Sequence, residues 1–246
     1  MLRLFNADMN RVFRSPVYWV FSVLTLILTG ITLIANIQMT PSPGPVAWVY
    51  AENLAVNVIG ISWLMLVGLF SLFNQDFKSR IHQAAIGNGV SRTKIVLTKY
   101  LECVAVMAVN LALMYLTVTL MRMASGIGLS GEQEMAVFNG VIYVLIHLAA
   151  VFGILMLPLF LTGNLAVSAL IGCVISLNIL EAMVSLLKNL VSFDLGKYML
   201  GGNLQMLQSG FESGQFAVFP IIMIAVYTCL GIGLAVLAFR KRELEF

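Results

Sequence analysis

Six long apolar runs dominate the sequence, at 17–37, 52–73, 95–120, 135–161, 165–182 and 216–239. An α-helix rises about 1.5 Å per residue, so a run of roughly twenty residues reaches across a hydrocarbon core of about 30 Å. These runs predict an all-α membrane protein with six transmembrane helices. Composition leaves few other choices. The chain is 60% hydrophobic and only 10% charged, whereas soluble domains carry about 25% charged residues. No internal repeat or low-complexity tract divides it, so residues 1–246 read as a single transmembrane domain.

Local signals punctuate the runs. Residues 1–15 place Leu2, Phe5, Met9, Val12 and Phe13 on one helical face, with Arg3, Asp8, Asn10, Arg11 and Arg14 on the rest. That is the pattern of an interfacial helix lying on a membrane. Pro16 permits a sharp turn into the first span. The run 17–37 is long for the apolar core of a secretory signal and no small-residue cleavage site follows it, so it is expected to stay as a span. Pro41-Ser42-Pro43-Gly44-Pro45 predicts a loop, Gly126, Gly128 and Gly131 mark another, and Thr162-Gly163-Asn164 is a very short turn. Between 183 and 215, Met183, Leu186, Leu187, Leu190 and Val191 share a helical face, and Leu204 and Leu207 begin a second stripe. Gly196, Gly201 and Gly202 interrupt the segment. It is expected to form two short helices that dip into the outer leaflet and return, a re-entrant hairpin between spans 5 and 6.

Six crossings put both termini on one side, and the basic residues say which. Eleven lie on one side: Arg3, Arg11, Arg14, Lys78, Arg80, Arg92, Lys94, Lys99, Arg240, Lys241 and Arg242. Three, Arg122, Lys188 and Lys197, lie on the other. The positive-inside rule then predicts cytoplasmic termini and a cytoplasmic segment between spans 2 and 3.

Several kinds of chemistry are disfavoured by what the sequence lacks. There is no GxxxxGK[ST] phosphate loop, no HExxH, no GxSxG and no paired-carboxylate motif. No catalytic residue or metal ligand is therefore assigned. Cys103, Cys173 and Cys229 fall inside apolar runs without metal-ligand spacing and read as packing residues. The basic residues flank apolar runs rather than forming a solvated patch, which gives no support to nucleic-acid binding. His147 stands alone in span 4 and reads as a hydrogen-bonding packing residue; His82 reads as solvated. Asp76, Glu102, Glu52 and Glu181 are expected near span ends rather than deep in the bilayer, which weakens the reading as an ATPase-independent secondary carrier. Asn53, Asn57 and Gly60 on span 2, and Ser168, Gly172 and Ser176 on span 5, form small or polar stripes. Such stripes most simply serve close helix packing. A substrate path or a dimer interface is the other use open to them.

The longest polar interruption is Asn74 to Lys99, with coupling-type character in residues 74–94. It holds five of the fourteen basic residues. Phe77, Ile81, Ala84 and Ala85 make a narrow apolar stripe, Gly87-Asn88-Gly89 breaks the helix, and Ser91 is placed to cap the next one. In this layout the chain resembles the permease subunit of type-2 ATP-binding-cassette exporters. The local match is Phe73-x-x-Asp76, Lys78-Ser79, Val90-Ser91-Arg92-x-Lys94-Ile95 and Lys99, and the closing Phe239-Arg240-Lys241-Arg242-Glu243 is similar to the family's basic tail. Arg80 and Ile81 stand where that family often has a glycine and a threonine.

The resemblance implies a multi-pass protein of the bacterial plasma (inner) membrane. It also implies a homodimer, or a pair with a sister permease, bound to two cytoplasmic ATP-binding-cassette ATPase subunits. ATP and Mg would sit on those partners and no cofactor on this chain. The coupling helix, Gln75 to Ala85, would lie in an ATPase groove. Phe77 and Ile81 would be anchors there, Asp76, Lys78 and Arg80 rim contacts, and Gln75, His82 and Ala84 the remainder of the docking surface. The small size is similar to that of permeases exporting antimicrobial, lantibiotic or cytolytic peptides; drugs, lipids or ions are the alternative substrates.

Overall fold

The computed structural model describes residues 2–39, 58–78, 81–124, 126, 128, 130–188, 198–213 and 217–241. The expected loop at Pro41–Pro45, Glu52, Asn53, Asn57, Arg80 and the tail from Arg242 lie outside the described residues. The described elements are all helices: α1 (Leu2–Arg14), α2 (Pro16–Met39), α3 (Val58–Lys78), α4 (Ile81–Gly87), α5 (Arg92–Ala124), α6 (Gly131–Thr162), α7 (Leu165–Ser176), α8 (Ile179–Lys188), α9 (Leu200–Ser213) and α10 (Val218–Lys241).

Three of these are long and apolar enough to cross a membrane: α5, the 137–162 part of α6, and α10. The α1–α2 pair, bent by 66°, is a fourth candidate. The bend falls at Ser15, where Pro16 opens α2 with a ring that fits a first helical turn. Trp19 donates its indole N–H to the Phe13 carbonyl at 2.8 Å, satisfying one of the carbonyls left free as α1 ends.

Helix polarity is reversed relative to a soluble protein. On α2 the buried face is Tyr18, Ser22, Thr25 and Thr29, whereas Trp19, Val20, Val23, Leu24, Ile27, Leu28 and Ile31 are exposed. Two of the inward hydroxyls bond to their own helix: Thr25 donates to the Phe21 carbonyl at 2.8 Å and Thr29 to the Thr25 carbonyl at 2.9 Å. On α10 the buried residues are Pro220, Ile224, Gly231, Ala235 and Phe239, with an outer face of Val218, Phe219, Ile221, Ile222, Val226, Leu230, Leu234 and Leu237. An exposed apolar surface of this extent belongs in lipid, because water would penalise it by about 25 cal/mol per Å².

The central helix is α6, which touches α3, α5, α7, α9 and α10. Its contact with α10 is the most extensive and is made by small residues. A Cβ on Gly231 would lie 2.3 Å from the Gly153 carbonyl oxygen, and one on Gly153 would lie 2.7 Å from Thr228 Cγ2. Backbones can approach this closely only where side chains are missing.

Two expectations need correction. The run 165–182 is not one helix. α7 ends at Ser176, and Leu177 and Asn178 turn the chain, Asn178 in the left-handed region at φ 52°, which asparagine tolerates better than most residues. Twelve residues of helix reach about 18 Å, short of a hydrocarbon core. Gly201 and Gly202, expected as interruptions, lie inside the first turn of α9. A Cβ on Gly201 would fall 2.4 Å from Glu181 Oε1, which instead accepts the Gly201 N–H at 2.9 Å. The two short helices expected in 183–215 correspond to α8, which begins at Ile179, and α9, which buries Leu200, Leu204 and Leu207 against α6 and α10.

The glycine crossing makes a direct prediction. Gly231→Val should destabilise the detergent-solubilised chain by about 1–3 kcal/mol, an overpacking cost. Gly233→Ala, where nothing lies within 4 Å, should leave the melting temperature near that of the parent. Thermal unfolding followed by tryptophan fluorescence separates the two.

Candidate functional site

Among the described residues, five charged side chains, Asp8, Arg11, Asp76, Lys99 and Glu102, meet where α3 leads toward α4. α3 ends at Lys78, and Asp76 in its last turn is fully buried. Gln75, Phe77 and Lys78 share that turn, and Ile81 and His82 open α4, but their side chains lie outside the described residues. Of the helix expected over Gln75 to Ala85, α3 covers the residues to Lys78 and α4 those from Ile81; Ser79 and Arg80 lie outside the described residues. Ala84, Gly87, Asn88 and Gly89 are exposed, while Ala85 and Ile86 pack against the core.

The turn after α4 is built as its residues dictate. Gly89 takes φ +83°, a conformation open to glycine at no steric cost. The Asn88, Gly89 and Val90 amides donate to the carbonyls of Ala84, Ile86 and Ala85, which closes the last turn of α4. Ser91 then caps α5, its Oγ accepting from the Lys94 amide at 3.4 Å.

Asp76 is held by two cations. Its Oδ2 lies 2.6 Å from Lys99 Nζ on α5, and its Oδ1 meets the Arg11 guanidinium of α1. Lys99 is 2% exposed, yet its three N–H groups face three carboxylates: Asp76, Asp8 Oδ2 at 2.6 Å and Glu102 Oε2 at 2.9 Å. Arg11 also reaches Asp8 Oδ1 at 3.5 Å. The ammonium donates hydrogen bonds to Asp8 and Glu102 and meets Asp76 as an ion pair. The knot joins α1, α3 and α5, three elements separated widely in sequence. Asp76, expected at the rim of a docked partner, is instead occupied within the chain.

Asp8, Arg11 and Glu102 had no functional assignment from sequence, and Lys99 appeared only as the end of a motif. A signal was present. Ile95, Lys99, Glu102, Cys103 and Val106 fall on one helical stripe, and all are buried. A lysine and a glutamate three apart on the inward face of an apolar run must find partners, since unpaired charges are costly there. Asp8 likewise shares the inward face of α1 with Val12 rather than the polar face expected for it.

A second group lies beside the knot. Arg92, the first residue of α5, donates through Nη1 to the carbonyls of Phe239 and Arg240 at 2.8 Å each, and its guanidinium carbon sits 5.7 Å from the Phe239 ring centroid. The Phe239 ring packs on Phe160 of α6 at 4.9 Å, and Phe160 meets Phe73 of α3 edge-on at 6.3 Å. Phe73 is one turn before Asp76.

The other sequence candidates lie elsewhere. Gly60 is in the first turn of α3. Ser168, Gly172 and Ser176 line the buried face of α7, where a Cβ on Gly172 would meet Met65 Sδ at 2.2 Å and Leu155 Cδ1 at 3.0 Å. That stripe is taken up in packing against α3 and α6. His147 is buried in the middle of α6 with its Nδ1 3.4 Å from the Tyr143 hydroxyl. Among the described residues no cluster of three or more His, Cys, Asp or Glu is arranged to hold a metal ion.

No protein-family model matches the sequence, and no curated protein matches it.

The buried knot and a surface pair should respond differently to truncation. Lys99→Met leaves Glu102 without a cation and Asp8 and Asp76 with Arg11 alone, and should destabilise the chain by about 3–5 kcal/mol. Arg122→Met removes the solvent-facing pair with Glu134 and should cost less than about 1 kcal/mol. Melting of the two variants in the same detergent measures the contrast.

Proposed function

We propose that this chain is the membrane-spanning subunit of an ATP-driven exporter, and that α4 is the helix on which a soluble ATPase acts. The observation that carries the reading is the knot at Asp76. A partner that pulls on a short helix does work on the spans only if the helix is attached to them by contacts that hold. Asp76, two residues before the end of α3, ties that attachment to α1 and to α5 at once. Among the described residues of α4 and its turn, Ala84, Gly87, Asn88 and Gly89 are exposed and small, which lets a partner groove approach the backbone there.

In this reading the spans cross six times with both termini in the cytoplasm of a bacterial cell. The broken helix α7 and the α8–α9 pair then form the outer end of the path. Two copies, or this chain and a sister permease, enclose the route, and two ATPase subunits bind below. The ATPases hold ATP and Mg; this chain supplies no phosphate loop. Closure of the ATPases around nucleotide would move α4 as a rigid body and tilt the spans behind it, an interface rotation. The substrate best suited to the apolar outer faces of α2 and α10 is an amphipathic or hydrophobic peptide entering sideways from the bilayer.

Two measurements test this. Asn88→Cys should react with a membrane-impermeant maleimide in inside-out vesicles and not in right-side-out ones; labelling from the exterior would overturn the orientation. Phe77→Asp should abolish ATP-driven peptide export by vesicles containing this chain and the ATPase encoded beside it, while leaving insertion intact. Undiminished export and unchanged ATPase binding would remove the Gln75 to Ala85 segment from the mechanism.

A further inference from the structure

Arg92 is not explained by docking. It lies beyond the Gly87-Asn88-Gly89 turn and is partly buried against the last helix. Its one Nη1 reaches two successive carbonyls, Phe239 and Arg240. These lie in the last described turn of α10, and carbonyl oxygens are acceptors matched to the N–H donors of a guanidinium. Phe239 adds its ring face to the same cation.

We propose that Arg92 is the positioning residue through which displacement of α4 reaches the last span, α10. The inference rests on the exporter reading above and adds a second route to the one through Asp76. Each end of α4 leads to a different part of the bundle. The Asp76 end leads to α1 and α5 through the ionic knot. The Gly89 end leads through Ser91 and Arg92 to the Phe239 and Arg240 carbonyls of α10. From there Phe239, Phe160 and Phe73 return the contact to α6 and α3, and the Gly153–Gly231 crossing extends it along the length of α6 and α10. A push on α4 thus moves α10 and α6 together, because packed helices shift as units rather than deform.

The test has two parts. The first uses the chain alone in lipid nanodiscs. Arg92→Ala should raise hydrogen exchange of the amides in the last described turn of α10 by about tenfold, the scale of a lost charge-assisted hydrogen bond, whereas Arg92→Lys should fall between the variant and the parent. Unchanged exchange would overturn the clamp whatever the chain transports. The second part uses vesicles containing the ATPase partner. Arg92→Ala should retain ATPase binding and ATP hydrolysis while peptide exported per ATP falls about tenfold, within the range by which coupling residues act. Equal losses of binding and export would make Arg92 merely structural and sink the proposal, as would an unchanged ratio. Phe239→Leu, which keeps both carbonyl contacts, should lower the ratio less and guards against an Arg92 variant that fails to fold. If the unaltered chain shows no ATP-dependent transport, the exporter reading fails and this role falls with it, while the exchange result still stands on its own.

Discussion

The structure depends on one ammonium group. Lys99 sits near the start of a long apolar helix, excluded from water, with three carboxylates from three elements around it. Such a group is tolerated only when its charge is paired, because an unpaired charge in apolar surroundings is strongly penalised. Once Lys99 is placed, α1 must lie against α5, and α3 must end beside both. The inward turn of Asp8 and the burial of Asp76 follow from that requirement.

Away from the knot the helices are held by different means. Water is not the solvent for most of this surface, so apolar outer faces gain nothing from hiding, and association rests on close packing. The structure shows this at three places. Gly153 and Gly231 bring α6 and α10 backbone to backbone, Gly172 admits Met65 between α7 and α3, and Gly201 leaves room for the Glu181 carboxylate at the head of α9. The Thr25 and Thr29 hydroxyls, which turn inward on α2, bond to their own helix backbone. Asn110 of α5 finds the Val106 carbonyl at 2.9 Å and the Tyr18 hydroxyl at 3.4 Å. Strong polar contacts between helices are concentrated at the α4 end, where a mechanical attachment is proposed.

Much of the local architecture is readable without coordinates. The amphipathic first helix, the break before Pro16, the Gly-Asn-Gly turn, the Ser91 cap and the Thr-Gly-Asn turn each depend on residues within one or two turns of each other. Hydropathy places the helices for the same reason. It fails at 165–182, where Leu177 and Asn178 carry no helix-breaking signature and the apolar run continues through the turn. It also misassigns Asp8, because a helical face can be ranked by polarity but not by what stands opposite it. The Phe73-x-x-Asp76 pattern was visible as residues, yet its use, an aromatic chain on one side and an ionic knot on the other, was not.

What the sequence determined alone is the solvent and the elements: helices, mostly apolar, suited to lipid, interrupted by one basic segment. Those properties arise from interactions between near neighbours along the chain. The tertiary structure alone decided which charges meet. Asp8 and Lys99 are 91 residues apart and Arg92 and Phe239 are 147 apart, and their pairing depends on which helix faces come together. That choice is made by packing of whole elements, which no periodicity within a single element records.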